Sequence, residues 1–374
     1  MSSSSAAAGG AVSVPIDESI YGQELERLVQ SKGVLRAKGY TLEQLSPGEL
    51  EKKQRCGRCY KLYTQNPWRT DPYYYDDNYS DEDAYVAQNP DGPTAGPQSQ
   101  PKPRRPSGIC LYHDGEQENK VWTCCGQKIP CKGEDFHSSK AAYTNAELAE
   151  RWKFFTTLTT DRNQVGPRRA IVIDCEMGVS VMGDMELISL AAIDYFTGEV
   201  LINSLVSPLV SMRHYNTQYS GISGKDMHEA RKAKACFRGR NQARKALYPF
   251  IGPDTIIIGH ALENDLNALR LIHPRVVDTQ IVASNLASAR RDAHKMLQAQ
   301  EGSGGDGMAG AYTTGYQNNR GLKSLAWECL RRNIQTGGHD ALEDVRATRD
   351  LLQWHLVHVV PLKASNPEAY FPIF

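Results

Sequence analysis

The sequence predicts an α/β domain, a mixed sheet flanked by helices, preceded by a small module rich in cysteine and histidine. Three observations carry this prediction. From residue 168 onward, apolar runs of strand length come first, and strand and helix patterns then alternate. Six of the nine cysteines lie before residue 132. The apolar run "AIVIDCEMGVS", residues 170 to 180, carries two acids with a single residue between them.

The 374 residues allow two domains and a sizeable core. Lys plus Arg (43) equals Asp plus Glu (43), so the net charge is zero and gives no global sign of a polyanionic partner. A local basic path remains compatible with that balance. The start, "MSSSSAAAGGAVSVP", lacks the basic and apolar segments of a secretory signal. No apolar run reaches the length of a membrane span, so no membrane partner is expected. In that setting the cysteines read as reduced thiols or metal ligands rather than disulfides.

Residues 1–54 read as a disordered Ser/Ala/Gly start followed by short helical patterns, "YGQELERLV" and "TLEQLSPGELEKK". Residues 55–140 hold the Cys/His module. An acidic and then Pro-rich insertion at 71–107, with little to bury, interrupts it and reads as disordered. Residues 141–166, with "AELAERWKFFTTL", read as a linker helix. The α/β domain occupies 167–360 and a tail 361–374. Its strands are "AIVIDCEM", "ELISLAAID", "VLINSLVSP" and "TIIIGH". Its helices are "ENDLNALRLI", "GLKSLAWECLRR" and "ALEDVRATRDLLQWHL". The polar, Gly-rich stretch 290–320 reads as a long mobile loop. A fragment starting near residue 140 is expected to fold alone.

Ile171, Val172 and Ile173 have the pattern of a central parallel strand buried on both faces. Side chains alternate along a strand, so Asp174 and Glu176 share a face, their Cα atoms about 7 Å apart. Like charges placed there repel unless a cation lies between them. Cys175 faces the other way and is assigned no chemistry. In "TIIIGHALENDLNALRL", Asp265 falls in the first turn of a helix after a buried strand. Ligand groups gather at such strand ends. In "GGHDALEDVRATRDLL", Gly337 and Gly338 place His339 on a mobile loop. Asp340 then caps the next helix, Glu343 takes a capping-box-like position, and Asp344 faces inward. A histidine beside carboxylates suits a general base that activates water.

Taken singly, each signal has a plainer structural reading. Strand-end acids are often solvated, a first-turn acid complements the helix dipole, and a lone histidine is usually a surface or satisfied core residue. Their order decides. "IDCEMG", "GHALENDLNAL" and "HDALEDVRAT" resemble the three motifs of the DEDDh 3′–5′ exonuclease superfamily. More narrowly they resemble eukaryotic, fungal-type RNA exonucleases, a branch that "YNTQYSGIS" and "RGLKSLAWECL" also match. The resemblance covers about residues 168 to 356 and implies an RNase H-like mixed sheet. It also implies that Asp174, Glu176 and Asp344 bind one Mg²⁺ or Mn²⁺. Asp174 would bridge to a second ion that Asp265 helps to hold, the two about 4 Å apart. His339 would deprotonate the water, releasing nucleoside 5′-monophosphates from single-stranded RNA 3′ ends. The backbone at Met177 and Gly178, Ile222 with Ser223, and also His260 and Asn264 would hold the terminal nucleotide.

The module offers Cys56, Cys59, Cys110, His113, Cys124, Cys125, Cys131 and His137, enough for one or two four-ligand zinc ions. The close spacings C-x-x-C and C-x-x-H let two side chains of one turn reach a single ion. A lone C-x-x-C could be redox-active, and the other six ligands favour structural zinc. "CLYHDG", "VWTCCG" and the residues after them resemble CHORD-type zinc modules. The pairing and number of ions stay open, because the insertion departs from that spacing.

The leading expectation is a metal-dependent 3′–5′ exoribonuclease that processes or turns over rRNA, small structural RNA or mRNA. Its zinc module would contact RNA or a protein partner. The alternatives are a DNA 3′–5′ exonuclease, which the carboxylates alone do not separate, and an adaptor with a vestigial exonuclease fold. "KPRRP" (102–106) suggests the nucleus, with the cytoplasm as the alternative.

Overall fold

The computed structural model describes residues 18–62, 110–115, 117–118, 121–127, 130–157, 166–300 and 321–358. The expected insertion at 71–107, its "KPRRP" segment and the tail at 361–374 lie outside the described residues. The chain divides into two units, Leu45–Trp152, and Met1–Gln44 together with Lys153–Phe374.

This division corrects the expected boundaries twice. Helices α1 (Glu18–Arg27) and α2 (Lys32–Ala37) group with the α/β unit rather than with a disordered start. The reason is burial: Leu25, Leu35 and Tyr40 lie within two of that unit's apolar clusters. Burying one such leucine is worth roughly 1.5–3 kcal/mol, so a fragment starting near residue 140 lacks part of its core. The expected linker helix, in turn, groups with the smaller unit.

In the smaller unit, α3 (Pro47–Glu51) starts from a capping box between Ser46 and Glu49, with proline in its first turn. Strand β1 (Cys110–Tyr112) precedes a hairpin of β2 (Gln117–Glu118) and β3 (Val121–Trp122), and then pairs antiparallel with β4 (Lys132–Glu134). Helix α4 (Asn145–Arg151) starts from a second capping box, Thr144 with Glu147. The apolar cluster here is Cys56, Cys110 and Tyr112, with Cys59 packed against it. Among the described residues of this unit, that cluster with buried Tyr143 and Leu148 makes a small core.

The larger unit resumes with β5 (Phe155–Thr156), then β6 (Ala170–Ser180), β7 (Met185–Asp194) and β8 (Val200–Ser207), the last three paired antiparallel. Next come β9 (Met212–His214), α5 (Thr217–Ser220), α6 (Gly224–Lys232), β10 (Cys236–Arg238) and α7 (Gly239–Leu247). They are followed by β11 (Ile256–Gly259), α8 (Glu263–Leu269), β12 (Leu271–Ile272), β13 (Val276–Asp278) and α9 (Thr279–Gln300). Helices α10 (Leu322–Leu330) and α11 (Ala341–His358) close the described chain. The sheet order is β10-β8-β7-β6-β11-β13, with β9 added to the far end of β6. β10, β11 and β13 make parallel pairs.

Three expectations change. β6 is central and buried, but it is parallel only to β11 and antiparallel to β7. The helix expected over 263–272 stops at Leu269. Arg270 is left-handed at φ 52°, and Leu271–Ile272 instead pair with β5. The stretch expected as a loop from 290 stays helical to Gln300, and residues 301–320 lie outside the described residues.

Strand alternation sorts the two faces of β6. Ile171, Ile173 and Cys175 belong to the cluster shared with α7 and α8. Ala170 and Val172 belong to the cluster shared with α1 and α11. Asp174 and Glu176 continue the second series, so they emerge on the α11 side. Register puts Ile258 of β11 beside Val172, so β11 ends as the acids of β6 begin.

Candidate active site and metal centres

Asp174 is half-buried, whereas Glu176, Asp265 and Asp344 are buried. Glu176 and Asp344 each bring a carboxylate oxygen, and His339 a ring nitrogen, within 4.8 Å of one another. Asp265 comes from the opposite side of the sheet, and its Oδ1 accepts the Cys175 backbone N–H at 3.1 Å. Cys175 thus supplies a main-chain donor, a use the sequence reading did not give it. A register shift between Glu176 and Met177 marks a bulge where the acids leave the regular ladder.

Burial and mutual repulsion act in one direction on these groups. Burial, then Asp265, Asp344 and Glu176, raise the Asp174 pKa well above the usual carboxylate range. Burial also raises Asp265, opposed by the Cys175 N–H. Glu176 is pushed up to about 8 by burial and then by Asp344 and Asp340. Asp344 is pushed up to about 6, chiefly by burial, against the hydrogen bond from Gln335. Four crowded acids disfavour their own ionisation, and a bound cation reverses that preference. Asp344 Oδ1 is moreover buried with no hydrogen-bond partner among the described residues. A hard divalent cation with oxygen ligands fits this donor set.

His339 is partly exposed, its Nδ1 3.6 Å from Asp344 Oδ2, with the two side chains 41% and 4% exposed. Burial and Lys323 lower its pKa, so the ring is neutral near pH 7 and free to take a proton. Its loop is less free than expected, because the His339 N–H donates to the Tyr219 carbonyl at 2.5 Å. Gly338, at φ 118°, sits close to Gly221, where a Cβ would come 3.3 Å from the Gly221 Cα. Asp340 Oδ1 accepts the N–H of Leu342 (2.8 Å) and Glu343 (2.9 Å), as a cap should. The capping-box expectation for Glu343 fails, since its Oε2 instead takes the Gln335 N–H at 2.8 Å.

The six residues expected to hold a nucleotide lie on three stretches. The Met177 carbonyl accepts from Asn216 Nδ2 at 3.0 Å, and Asn216 is left-handed at φ 52°. Gly178 has no room for a side chain, since a Cβ would lie 2.9 Å from the His214 carbonyl of β9. Ile222 and Ser223 follow the Tyr219–Gly221 turn that touches the His339 loop, and Ser223 is the N-cap of α6. His260 Nδ1 lies 2.9 Å from the Thr279 hydroxyl, which donates to the Gly259 carbonyl, so His260 is the donor of that pair. Asn264 is exposed, and its amide donates to the Ala261 carbonyl.

Sequence reasoning missed Gln335, Lys323, Asn216 and Asp278. Only Asn216 carried a signal, since asparagine tolerates left-handed backbone.

In the smaller unit the eight candidate zinc ligands separate into two sets. Cys56, Cys59, Cys110 and His137 form one, and His113, Cys124, Cys125 and Cys131 the other. Within each, the ligand atoms all lie within 4.8 Å of one another. The Cys56 N–H donates to the Lys61 carbonyl, folding the C-x-x-C turn back on itself. The Gly57 N–H donates to the Lys140 carbonyl, which brings the His137 segment alongside. A Cβ at Gly57 would meet that carbonyl at 2.7 Å. Sulfur–sulfur separations are 3.7 Å (Cys56–Cys110) and 3.6 Å (Cys124–Cys131). Two thiolates on one tetrahedral zinc stand about 3.8 Å apart, given Zn–S bonds near 2.3 Å. These separations are far beyond a disulfide bond. Each set therefore fits one zinc, which answers the pairing the sequence left open.

The exonuclease family RNase_T matches residues 171–352, the span that holds all five catalytic candidates. This stretch is similar to the RNase_T exonuclease family. Among curated proteins the chain is similar to RNA exonuclease 3 of Candida albicans, 31% identical over 66% of this chain and 54% of that protein. It is likewise similar to RNA exonuclease 3 of Saccharomyces cerevisiae, 29% identical over 66% of this chain and 54% of that one. The chain spans about half the length of these relatives. Among solved structures it is similar to the Pan2 catalytic unit of Neurospora crassa. That match is 18% identical with a TM-score of 0.40, over 62% of this chain and 37% of that one.

Proposed function

We propose that the chain is a metal-dependent 3′–5′ exoribonuclease that removes nucleoside 5′-monophosphates from single-stranded RNA 3′ ends. The observation that carries the proposal is the grouping of Glu176 and Asp344 with a neutral, partly exposed His339, with Asp174 and Asp265 close enough to repel these acids, in a stretch that matches an exonuclease family. Asp174, Glu176, Asp265 and Asp344 would hold Mg²⁺ or Mn²⁺, which when bound neutralises charge developing on the phosphate. His339 lies at the rim of this cluster, where it takes a proton from the attacking water. The turn from Tyr219 to Ser223 and the backbone at Met177–Gly178 would seat the terminal nucleotide. RNA is favoured over DNA by the names of the curated relatives. The smaller unit would carry two structural zinc ions and contact RNA or a protein partner. We place the protein in the nucleus, in maturation or turnover of rRNA, small structural RNA or mRNA.

The test is digestion of matched single-stranded RNA and DNA, with and without Mg²⁺. With 3′-labelled RNA, the first product is expected to be a labelled mononucleotide, formed only with the metal. With 5′-labelled RNA, a descending ladder is expected. Internal fragments from the outset would overturn the exonuclease reading, and preference for DNA would overturn the substrate.

A further inference from the structure

Among the described residues, a polar cluster that the proposed chemistry leaves unused is centred on Asp278. This carboxylate is 1% exposed and lies at the end of β13. Its Oδ1 accepts the N–H groups of Ala261 (3.1 Å) and Gln280 (2.8 Å). Its Oδ2 accepts the Leu262 N–H at 3.3 Å and the Tyr40 hydroxyl at 2.6 Å. Tyr40 is 6% exposed and follows α2. The same N-terminal segment sends Gln30, whose side-chain oxygen accepts the Asp278 N–H at 2.8 Å.

The two loop groups held by Asp278 immediately precede α8. Leu262 is the N-cap of that helix and has no side chain able to cap it. Ala261 sits at φ 54°, a left-handed conformation that costs an alanine energy. From another strand, Asp278 thus anchors the backbone of the N-cap residue and of the strained residue before it. Asp265 stands in the first turn of this helix, three residues after Leu262, with its Oδ1 on the Cys175 N–H. A shift of the loop therefore moves Asp265 against the acids of β6.

We propose that Tyr40 is a positioning residue of the active site: through Asp278 it fixes the Ala261–Leu262 turn and so sets Asp265 for divalent-cation binding. This rests on the metal-dependent reading given above. It assigns the N-terminal segment a part in the site that the exonuclease-family match, which begins at residue 171, does not cover.

The test compares the full chain with two variants, Tyr40→Phe and Leu25→Ala. The first removes one hydroxyl. The second removes core packing of α1, in an apolar cluster to which neither Tyr40 nor Asp278 belongs. Turnover of single-stranded RNA is titrated with Mg²⁺, and Mn²⁺ binding is measured without substrate by electron paramagnetic resonance. For Tyr40→Phe, the half-saturating Mg²⁺ and the Mn²⁺ dissociation constant are both expected to rise about tenfold, the usual cost of losing outer support for a metal ligand. Its kcat falls at sub-saturating metal while KM for RNA stays within about twofold. Leu25→Ala, assayed below its melting midpoint, is expected to lose more thermal stability while keeping the wild-type metal curve. A wild-type metal curve in Tyr40→Phe, or an equal shift in Leu25→Ala, overturns the proposal. If the wild-type chain cleaves no nucleic acid, the functional reading fails. The Mn²⁺ measurement then decides this inference on its own, and equal affinities reject it.

Discussion

Gln335 Nε2 donates to Asp344 Oδ2 across 2.8 Å, while Oδ1 of the same carboxylate is buried with no hydrogen-bond partner among the described residues. One oxygen is thus oriented by the protein, and the other is left for a cation. Gln335 itself is held left-handed at φ 56°, with its carbonyl accepting from Lys323 Nζ at 2.9 Å. Replacing Gln335 by Leu is expected to weaken Mg²⁺ activation about tenfold, the scale of a lost outer-sphere contact. A magnesium titration of initial rates checks this.

Asp174→Asn and Asp344→Asn are each expected to abolish RNA cleavage. Each change also removes repulsion among crowded acids, so the metal-free melting temperature is expected to hold or rise slightly. Turnover above about a tenth of wild type in either variant contradicts the assignment. Calorimetry without added metal reads the stability half.

His339→Ala is expected to slow cleavage about 10²- to 10⁴-fold, the contribution of a positioned base. RNA affinity and metal binding are expected to survive, because the ring is at the rim and partly exposed. Single-turnover rates at saturating enzyme separate the two. Collapsed affinity with an unchanged rate for bound RNA would rule out the base role.

Stability without magnesium is expected to fall as pH rises. Glu176 is held up at about 8 and Asp344 at about 6, both above their unfolded values near 4. Between those values the folded state binds more protons than the unfolded one. By linkage this stabilisation is full at low pH and is lost as pH climbs through 6 and then 8. Scans of melting temperature from pH 6 to 8.5 are expected to show a drop of a few degrees, roughly. Added Mg²⁺ reduces that drop, because the cation favours the ionised acids. A flat profile without metal argues against a crowded, buried cluster.

The smaller unit is expected to carry two equivalents of zinc. Cys59→Ser and Cys124→Ser each belong to a different ligand set, so each is expected to lose one equivalent. Both losses destabilise the unit, whose apolar cluster is mostly its own cysteines. Elemental analysis reads the stoichiometry. A single equivalent in the wild-type chain would show that the two sets do not bind independently.

The catalytic candidates were legible because their chemistry is local. Asp174 and Glu176 share a face by strand parity, and Asp265 and Asp344 each sit in the first turn of a helix. Order along the chain and motif likeness then sufficed to point to the exonuclease family that residues 171–352 match. The rest depended on long-range contacts with no local pattern. Nothing near Tyr40 shows that it reaches Asp278, 238 positions away. Nothing in "CGRC" shows that its partners are Cys110 and His137 rather than the nearer His113. Glu343 matched a capping-box position by spacing, yet the Gln335 N–H claimed its carboxylate. The short helices before residue 45 looked dispensable, and the sheet buries their leucines. Sequence by itself determined which chemistry is present, because residue type and local periodicity carry it. Only the tertiary structure decided which groups support, pair with and orient that chemistry, because hydrogen bonds and burial are settled by distance in space and not along the chain.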